Sequence, residues 1–486
     1  MKPYYLTSSL PYTNAYPHIG FALEIIQADV LARWHRQKGE DVFFLTGTDE
    51  HGSKIAKAAA DAGVSPQEFT DKIASRFQEL TKVLTISNDD FIRTTDQERH
   101  WPAVREVWDR LYKNEDLEKR TYTGLYCAGC EAFITEKELV NGQCHIHKKE
   151  PERIQEENWF FKLSKYAPKL KEKIEKNELR IIPESRKNEI LQVIHQELQD
   201  ISFSRPKEKL QWGIPVSGDD SSVIYVWADA LTNYISALGY PNGENFKKYW
   251  PANVQVVGKD IVRFHALIWP AMLLSLGVEL PKTLFVHGFI TVDGQKMSKT
   301  IGNVVDPFER VTKYGADAVR YFLLREIPSM EDGDFSYEKF ETRYNADLAG
   351  GLGNLVARVL TLATKISNFQ FLISNQFSNP NFQKLTDETK QKVENALDEF
   401  QFSEALVAIW EVIHACDKYI DEKKPWAESP EQKQVIGDLL LVIGELAQFL
   451  APFLPETSEK IAKQLAEGKG ENLFPRVGAL QVGNFS

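Results

Sequence analysis

The loop Ser9-Leu10-Pro11-Tyr12-Thr13-Asn14-Ala15-Tyr16-Pro17-His18-Ile19-Gly20-Phe21 ends on a glycine that opens a helical pattern. Glycine at that point lets a ligand approach the backbone, and the first helical turn offers N–H groups and a positive dipole end to a phosphate. His18, just before Gly20, is placed to face such a phosphate. Far downstream, Asp293-Gly294-Gln295-Lys296-Met297-Ser298-Lys299-Thr300-Ile301-Gly302-Asn303 is a glycine-bracketed loop with two lysines three residues apart. Mobile cations of this kind stabilise charge that develops on a departing pyrophosphate. A third cluster is Cys127-Ala128-Gly129-Cys130 followed, after thirteen residues, by Cys144-His145-Ile146-His147. Three thiolates and one imidazole close a tetrahedron, the arrangement of a structural zinc site with no position open to substrate. His145 competes as fourth ligand; the Cys-x₂-His spacing repeats that of Cys-x₂-Cys and selects His147.

These loops need elements to hold them. Residues 4–9 form a β-rich run, and Leu23, Ile26, Val30, Leu31 and Trp34 then recur at helical spacing up to Gly39. Residues 41–45 follow as a second strand. Strand, loop, helix, strand begins a parallel doubly wound sheet, whose ligands bind beyond the carboxyl ends of the strands, and the loops at 10–20 and 47–52 leave those ends. The segment 115–212 is charge-dense, bears the cysteines and shows little α/β alternation, as an insertion would. The α/β signal resumes with strands at 222–226, 254–257 and 283–290 and a helix at 261–276. Amphipathic helical patterns at 348–366, 386–420 and 432–464 fill the remainder, with 370–380 as a helix-helix linker. The expected division is therefore 1–114 and 213–333 as two halves of a Rossmann-like catalytic domain, 115–212 as a zinc-knuckle insertion, and 334–486 as an α-helical domain.

Composition bounds the class. In 486 residues, 43% hydrophobic and 26% charged exclude a disordered or disulfide-rich secreted chain. A net charge of −11 excludes a uniformly basic coat for nucleic acid and leaves room for a local basic groove. Residues 266–278, the longest apolar stretch, carry Pro270 and Ser275 and fall short of the roughly 20 residues that span a bilayer. With no secretory leader in the first residues, the expectation is a cytoplasmic protein with no membrane partner.

Taken together, the motifs resemble the class I aminoacyl-tRNA synthetases. Pro17-His18-Ile19-Gly20-Phe21 stands for His-Ile-Gly-His, and Lys296-Met297-Ser298-Lys299-Thr300 for Lys-Met-Ser-Lys-Ser. Further segments resemble the methionyl branch: Leu10-Pro11-Tyr12-Thr13-Asn14, Phe44-Leu45-Thr46-Gly47-Thr48-Asp49-Glu50-His51-Gly52, Tyr225-Val226-Trp227-Ala228-Asp229-Ala230-Leu231-Thr232-Asn233-Tyr234, Gly258-Lys259-Asp260-Ile261 and Val286-His287-Gly288-Phe289. The resemblance implies a methionine–tRNA ligase that forms methionyl-adenylate from methionine and ATP, then charges initiator and elongator methionine tRNA.

The resemblance also implies roles residue by residue. His18, Lys296 and Lys299 are the expected catalytic groups, with Asn14, Gly20, Glu24 and Thr300 joining them around ATP and its Mg²⁺. A thioether substrate calls for an apolar, polarisable pocket with one polar contact and a carboxylate for the ammonium. Asp49 matches the family's carboxylate, Leu10, Tyr12, Trp227, Ala230 and Tyr234 its side-chain pocket, and His287 a residue beside the substrate. Asn354, Arg358 and Trp426 match positions that recognise the methionine anticodon, chemistry suited to splayed RNA bases. The zinc pattern matches the single-knuckle form, one structural ion per chain. No oligonucleotide-binding appendix follows residue 475, so a monomer is expected. Phe21 departs from the family: it replaces the second histidine of the first motif and leaves ATP to His18, Asn14, the helix start and the lysine loop. A tRNA-binding relative without activation is the non-enzyme alternative. A synthetase for cysteine or a branched aliphatic, and a small-molecule nucleotidyltransferase, are the enzymatic ones; the last has no need of the long helical region.

Overall fold

Short β-branched and aromatic runs give the chain its main sheet. In the computed structural model, which describes residues 1–129, 132–134, 136, 139–144, 148–297, 301–366 and 376–476, six strands lie in the order Asp90–Arg93, Asp41–Thr48, Pro3–Ser8, Val254–Gly258, Thr283–His287, Arg180–Ile182. Every neighbouring pair is parallel. Parallel strands are buried on both faces, and Tyr5, Leu6, Val256, Val257, Phe285 and Val286 are accordingly buried without alternation. The order reverses between Pro3–Ser8 and Val254–Gly258. Such a switch point opens a crevice at the carboxyl ends, where residues 9–17 and Lys259 leave their strands.

The chain divides into two compact units. The first comprises Met1–Pro17, His35–Thr81 and Ser87–His287, and the second His18–Trp34, Lys82–Ile86 and Gly288–Ser486. The cysteine-bearing segment of the first unit is a long antiparallel ribbon, Leu117–Cys127 against Glu152–Phe161, in unbroken register from Leu117↔Phe161 to Tyr126↔Glu152. Arg180–Ile182, inside the same segment, returns to the edge of the parallel sheet; three residues are too short for periodicity to reveal a strand. The strand expected at 222–226 is Asp219–Ile224, with Val226 already in a helix; it pairs antiparallel with Ser204–Pro206 and Pro215–Val216 and is no part of the parallel sheet.

The second unit is mainly helical. Its bundle runs through Asn354–Thr364, Pro380–Asp398, Phe402–Lys423, Gln432–Leu450 and Pro455–Glu467. The pattern at 386–420 is broken at Phe400, which takes a left-handed φ of 59°. That at 432–464 is broken after Leu450, where Pro452 has no N–H to continue the helix, and it resumes at Pro455, suited to a first helical position. Residues 367–375 of the expected linker lie outside the described residues. Within this unit the helix Ile19–Gln37 is fixed by a fully buried ion pair, Asp29 to Arg320 Nη1 at 2.7 Å. Arg320 also donates to the carbonyls of Phe453, Pro452 and Leu84. These bonds offset the desolvation that a buried guanidinium would otherwise suffer. Among the described residues no helix is long and apolar enough to cross a membrane.

Candidate active site

The first unit assembles one group of expected residues at the carboxyl ends of its strands. The loop after Pro3–Ser8 is zipped to the loop after Asp41–Thr48: Asp49 N–H donates to the Pro11 carbonyl at 3.0 Å, and Thr13 N–H to the Asp49 carbonyl at 3.0 Å, with Tyr12 opposite Asp49. Asp49 is buried, Leu10 and Tyr12 are half-buried, and Asn14 is exposed. The next residue locks the loop further. Glu50 is fully buried; Arg93 donates to both its carboxylate oxygens at 2.7 Å, Thr48 and Thr95 add hydroxyl donors, and its carbonyl accepts from Trp212 Nε1. Every oxygen of Glu50 thus has a donor, and Asp49 is left on a rigid support.

The residues expected to enclose the methionine side chain sit on two short helices, Val226–Leu231 and Asn233–Ser236. Ala230 and Tyr234 are buried and Trp227 is half-buried. Two residues that sequence reasoning missed pack against them. Phe264 stacks on Trp227 with centroids 3.7 Å apart and planes at 8°, and His265 Nε2 lies 2.7 Å from the Tyr234 hydroxyl. His265 Nδ1 is 3.0 Å from the Ile261 carbonyl. A carbonyl only accepts, so Nδ1 carries the proton, and in the neutral ring Nε2 accepts the Tyr234 hydroxyl proton. Both residues belong to a π-turn, Phe264–Ile268, at the start of the helix expected at 261–276; π-turns are common at functional sites, and only tertiary structure reveals them. His287, buried at the end of its strand, accepts at its carbonyl from Lys259 N–H at 3.1 Å.

The second unit assembles the other group. At the start of Ile19–Gln37, Gly20 N–H donates to His18 Nδ1 at 3.1 Å and Phe21 N–H to the His18 carbonyl at 3.0 Å. Nδ1 is therefore an acceptor, which leaves the proton on Nε2 as a donor for a phosphate oxygen. Partial dehydration by the surrounding chain lowers the His18 pKa and favours this neutral form, although the ring keeps solvent access. A Cβ on Gly20 would lie 2.9 Å from the His18 ring and 3.5 Å from the Met297 methyl. The first and second motifs thus meet at Gly20, where a larger residue would have to displace the His18 ring. Glu24, one turn on, is buried, and Phe21 is half-buried.

Lys296 is presented by a hairpin. Ile290–Val292 pairs with Gln295–Lys296 across Asp293-Gly294, both at positive φ (50° and 74°), as a primed two-residue turn requires. Asp334 pins the turn by accepting from Gly294 N–H and the Thr291 hydroxyl, each at 2.7 Å. Lys296 itself is exposed, its ammonium 5.7 Å from the Phe289 ring. Lys299 and Thr300 lie outside the described residues.

Comparison with known proteins follows this geometry. The family described as tRNA synthetases class I (M) matches residues 4–144 and 129–360, and the anticodon-binding domain of tRNA ligase matches 381–475. The methionine–tRNA ligase of Clostridium perfringens is 47% identical over 475 residues, 96% of this chain and 73% of that enzyme. This chain belongs to the class I methionyl-tRNA synthetases. The Brucella suis methionine–tRNA ligase is 42% identical over 487 residues, 98% of this chain and 94% of that one. The structure of Mycobacterium tuberculosis methionyl-tRNA synthetase in complex with methionyl-adenylate superposes with a TM-score of 0.90 at 39% identity, covering 95% of this chain and 93% of the other.

Two further regions carry the residues expected to bind metal and tRNA. Cys127 and Cys144 are buried in a small cluster with Ile134. Leu139–Val140 and Gln143–Cys144 form a hairpin, and Lys148 N–H donates to the Cys144 carbonyl at 2.8 Å. Cys130, His145 and His147 lie outside the described residues, and among the described residues no three His, Cys, Asp or Glu side chains are grouped so that they could hold a metal ion. In the helical unit, Arg358 donates to Asp421 at 2.9 Å and stands 5.5 Å over the ring of Trp426, which is 54% exposed. Asn354, one helical turn before Arg358, is also exposed. An exposed aromatic face beside a guanidinium is a stacking platform for an unpaired base.

Proposed function

We propose that one set of residues selects methionine while the two signature motifs handle the phosphates of ATP. Asp49 takes the α-ammonium, Leu10, Tyr12, Trp227, Ala230 and Tyr234 enclose the side chain, and His287 lies beside the substrate. The methionine carboxylate attacks the α-phosphorus of ATP in line, the bond to the bridging oxygen breaks, and pyrophosphate departs. His18 Nε2–H and the N–H groups of the helix start, with Asn14, Gly20, Glu24 and Thr300, hold the nucleotide, while Lys296 and Lys299 offset charge on the leaving group. Mg²⁺ entering with ATP supplies further positive charge at the phosphates. The 3′-terminal adenosine of methionine tRNA then attacks the acyl carbon and releases AMP, so no covalent enzyme intermediate is needed. Asn354, Arg358 and Trp426 read the anticodon.

The meeting of His18, Gly20 and Met297 in one unit carries this reading, because it joins the two phosphate-binding motifs. The buried pair Cys127 and Cys144 fits zinc, which with Cys130 and His147 would cross-link the knuckle and hold its fold. Elemental analysis is expected to find one zinc per chain. We further propose a cytoplasmic monomer divided as 1–114, 115–212, 213–333 and 334–486. The decisive experiment is pyrophosphate exchange into ATP across a panel of amino acids without tRNA. Exchange with methionine alone is the expected result; no exchange from folded protein would leave only a tRNA-binding relative.

A further inference from the structure

Three distant parts of the first unit converge on one buried carboxylate. Asp229, 1% exposed, lies 2.6 Å through Oδ2 from His51 Nδ1 and 2.7 Å through Oδ1 from His100 Nε2. His100 Nδ1 is 2.7 Å from the Ser236 hydroxyl. Both imidazoles are buried, and Trp101 and Trp212 stand around His51. Burial by itself would raise the Asp229 pKa, but the field of His51 and the hydrogen bonds from both histidines lower it below the ordinary aspartate value.

The place of this cluster in the chain gives it a consequence for recognition. His51 is two residues beyond Asp49 in the loop already fastened through Glu50. Asp229 lies between Trp227 and Ala230, and Ser236 is two residues beyond Tyr234. Helices of six and four residues have little intrinsic stability and take their orientation from what they are bonded to. Apolar packing at this spot would serve stability as well as a buried charge does; a directional network adds fixed geometry. Methionine has a fixed reach from ammonium to thioether, so the groups that hold its two ends need registration to about 0.5 Å.

We propose that the His51–Asp229–His100 cluster is a positioning device for methionine recognition. It registers the Asp49 loop against the segment bearing Trp227, Ala230 and Tyr234. The proposal rests on the reading of Asp49 as the ammonium acceptor, and the experiment separates the two. On the full-length chain, pyrophosphate exchange gives KM for methionine and for ATP, and competition gives the inhibition constant of 4-(methylsulfanyl)butanoate, which keeps the thioether and carboxylate and lacks the amine.

Asp49→Ala is expected to abolish the preference for methionine over that analogue. His51→Ala is expected to raise the methionine KM at least tenfold, to shrink the preference at least fivefold, and to leave the ATP KM within twofold. His51→Asn, whose amide N–H reproduces the Nδ1 donor, should recover most of the loss. Asp229→Asn, which keeps the volume, provides an independent disruption with the same expected split if His51→Ala does not fold. A methionine KM within twofold of the parent, or a parallel rise in both KM values at unchanged preference, would reduce the cluster to fold support. If Asp49→Ala collapses the preference while His51→Ala spares it, the positioning role alone is overturned; if Asp49→Ala spares it, both fall.

Discussion

Asp49, Tyr234 and His287 are buried and set by hydrogen bonds that reach far along the chain, whereas Lys296 stands exposed on a two-residue hairpin turn. The residues assigned to methionine need a fixed cavity, because one methylene in an apolar pocket is worth only about 1–3 kcal/mol and a misplaced wall forfeits it. The residues assigned to the phosphates meet a charge that grows and then departs, which favours long flexible cations over a rigid cage. The contrast is between buried, hydrogen-bonded groups assigned to selection and an exposed cation assigned to the reaction.

The largest expected effect lies on the exposed side. Lys296→Ala should lower the exchange rate by about 10²–10³-fold, the scale of one lost transition-state donor, with methionine affinity unchanged by equilibrium titration; a matching loss of affinity would erase the contrast. Tyr234→Phe comes next on the buried side. It removes the hydroxyl that meets His265 Nε2, so methionine KM should rise roughly tenfold, the equivalent of about 1.4 kcal/mol for one buried hydrogen bond. Norleucine, which lacks the sulfur, should lose much less in competition assays.

A pH profile sharpens the phosphate side. The folded-state pKa of His18 is depressed, so the bond from Gly20 is fully present above the ordinary histidine value and is lost as the pH falls through the lower one. Exchange at limiting ATP should therefore be flat through neutrality and show an acid limb below about pH 6.5, absent in His18→Gln. The smallest effect is expected from Phe21→His. The Phe21 N–H is already bonded to the His18 carbonyl, and restoring the family residue should change the exchange rate by less than about tenfold, well below the loss from a single removed donor.

Much of this was legible in one dimension because the chemistry is local. A glycine in the first turn of a helix and an Asp-Gly turn before a lysine each depend on residues a few positions apart, so local backbone geometry makes them readable. The parallel sheet was legible for a similar reason, since strands buried on both faces read as continuous apolar runs. The strand Arg180–Ile182 was too short to register, and Asp219–Ile224 had the pattern of a strand but no mark of which sheet it would join.

What the sequence supplied by itself was a list of candidate side chains and the kind of element on which most of them sit. Tertiary structure alone decided which of them are neighbours. His265 beneath Tyr234, Phe264 on Trp227, Met297 against Gly20 and Asp229 between two histidines are pairings across 31, 37, 277 and up to 178 positions. No local propensity encodes such contacts. They follow from the order of strands in the sheet and from the packing of short helices whose orientation is set only when the core closes around them.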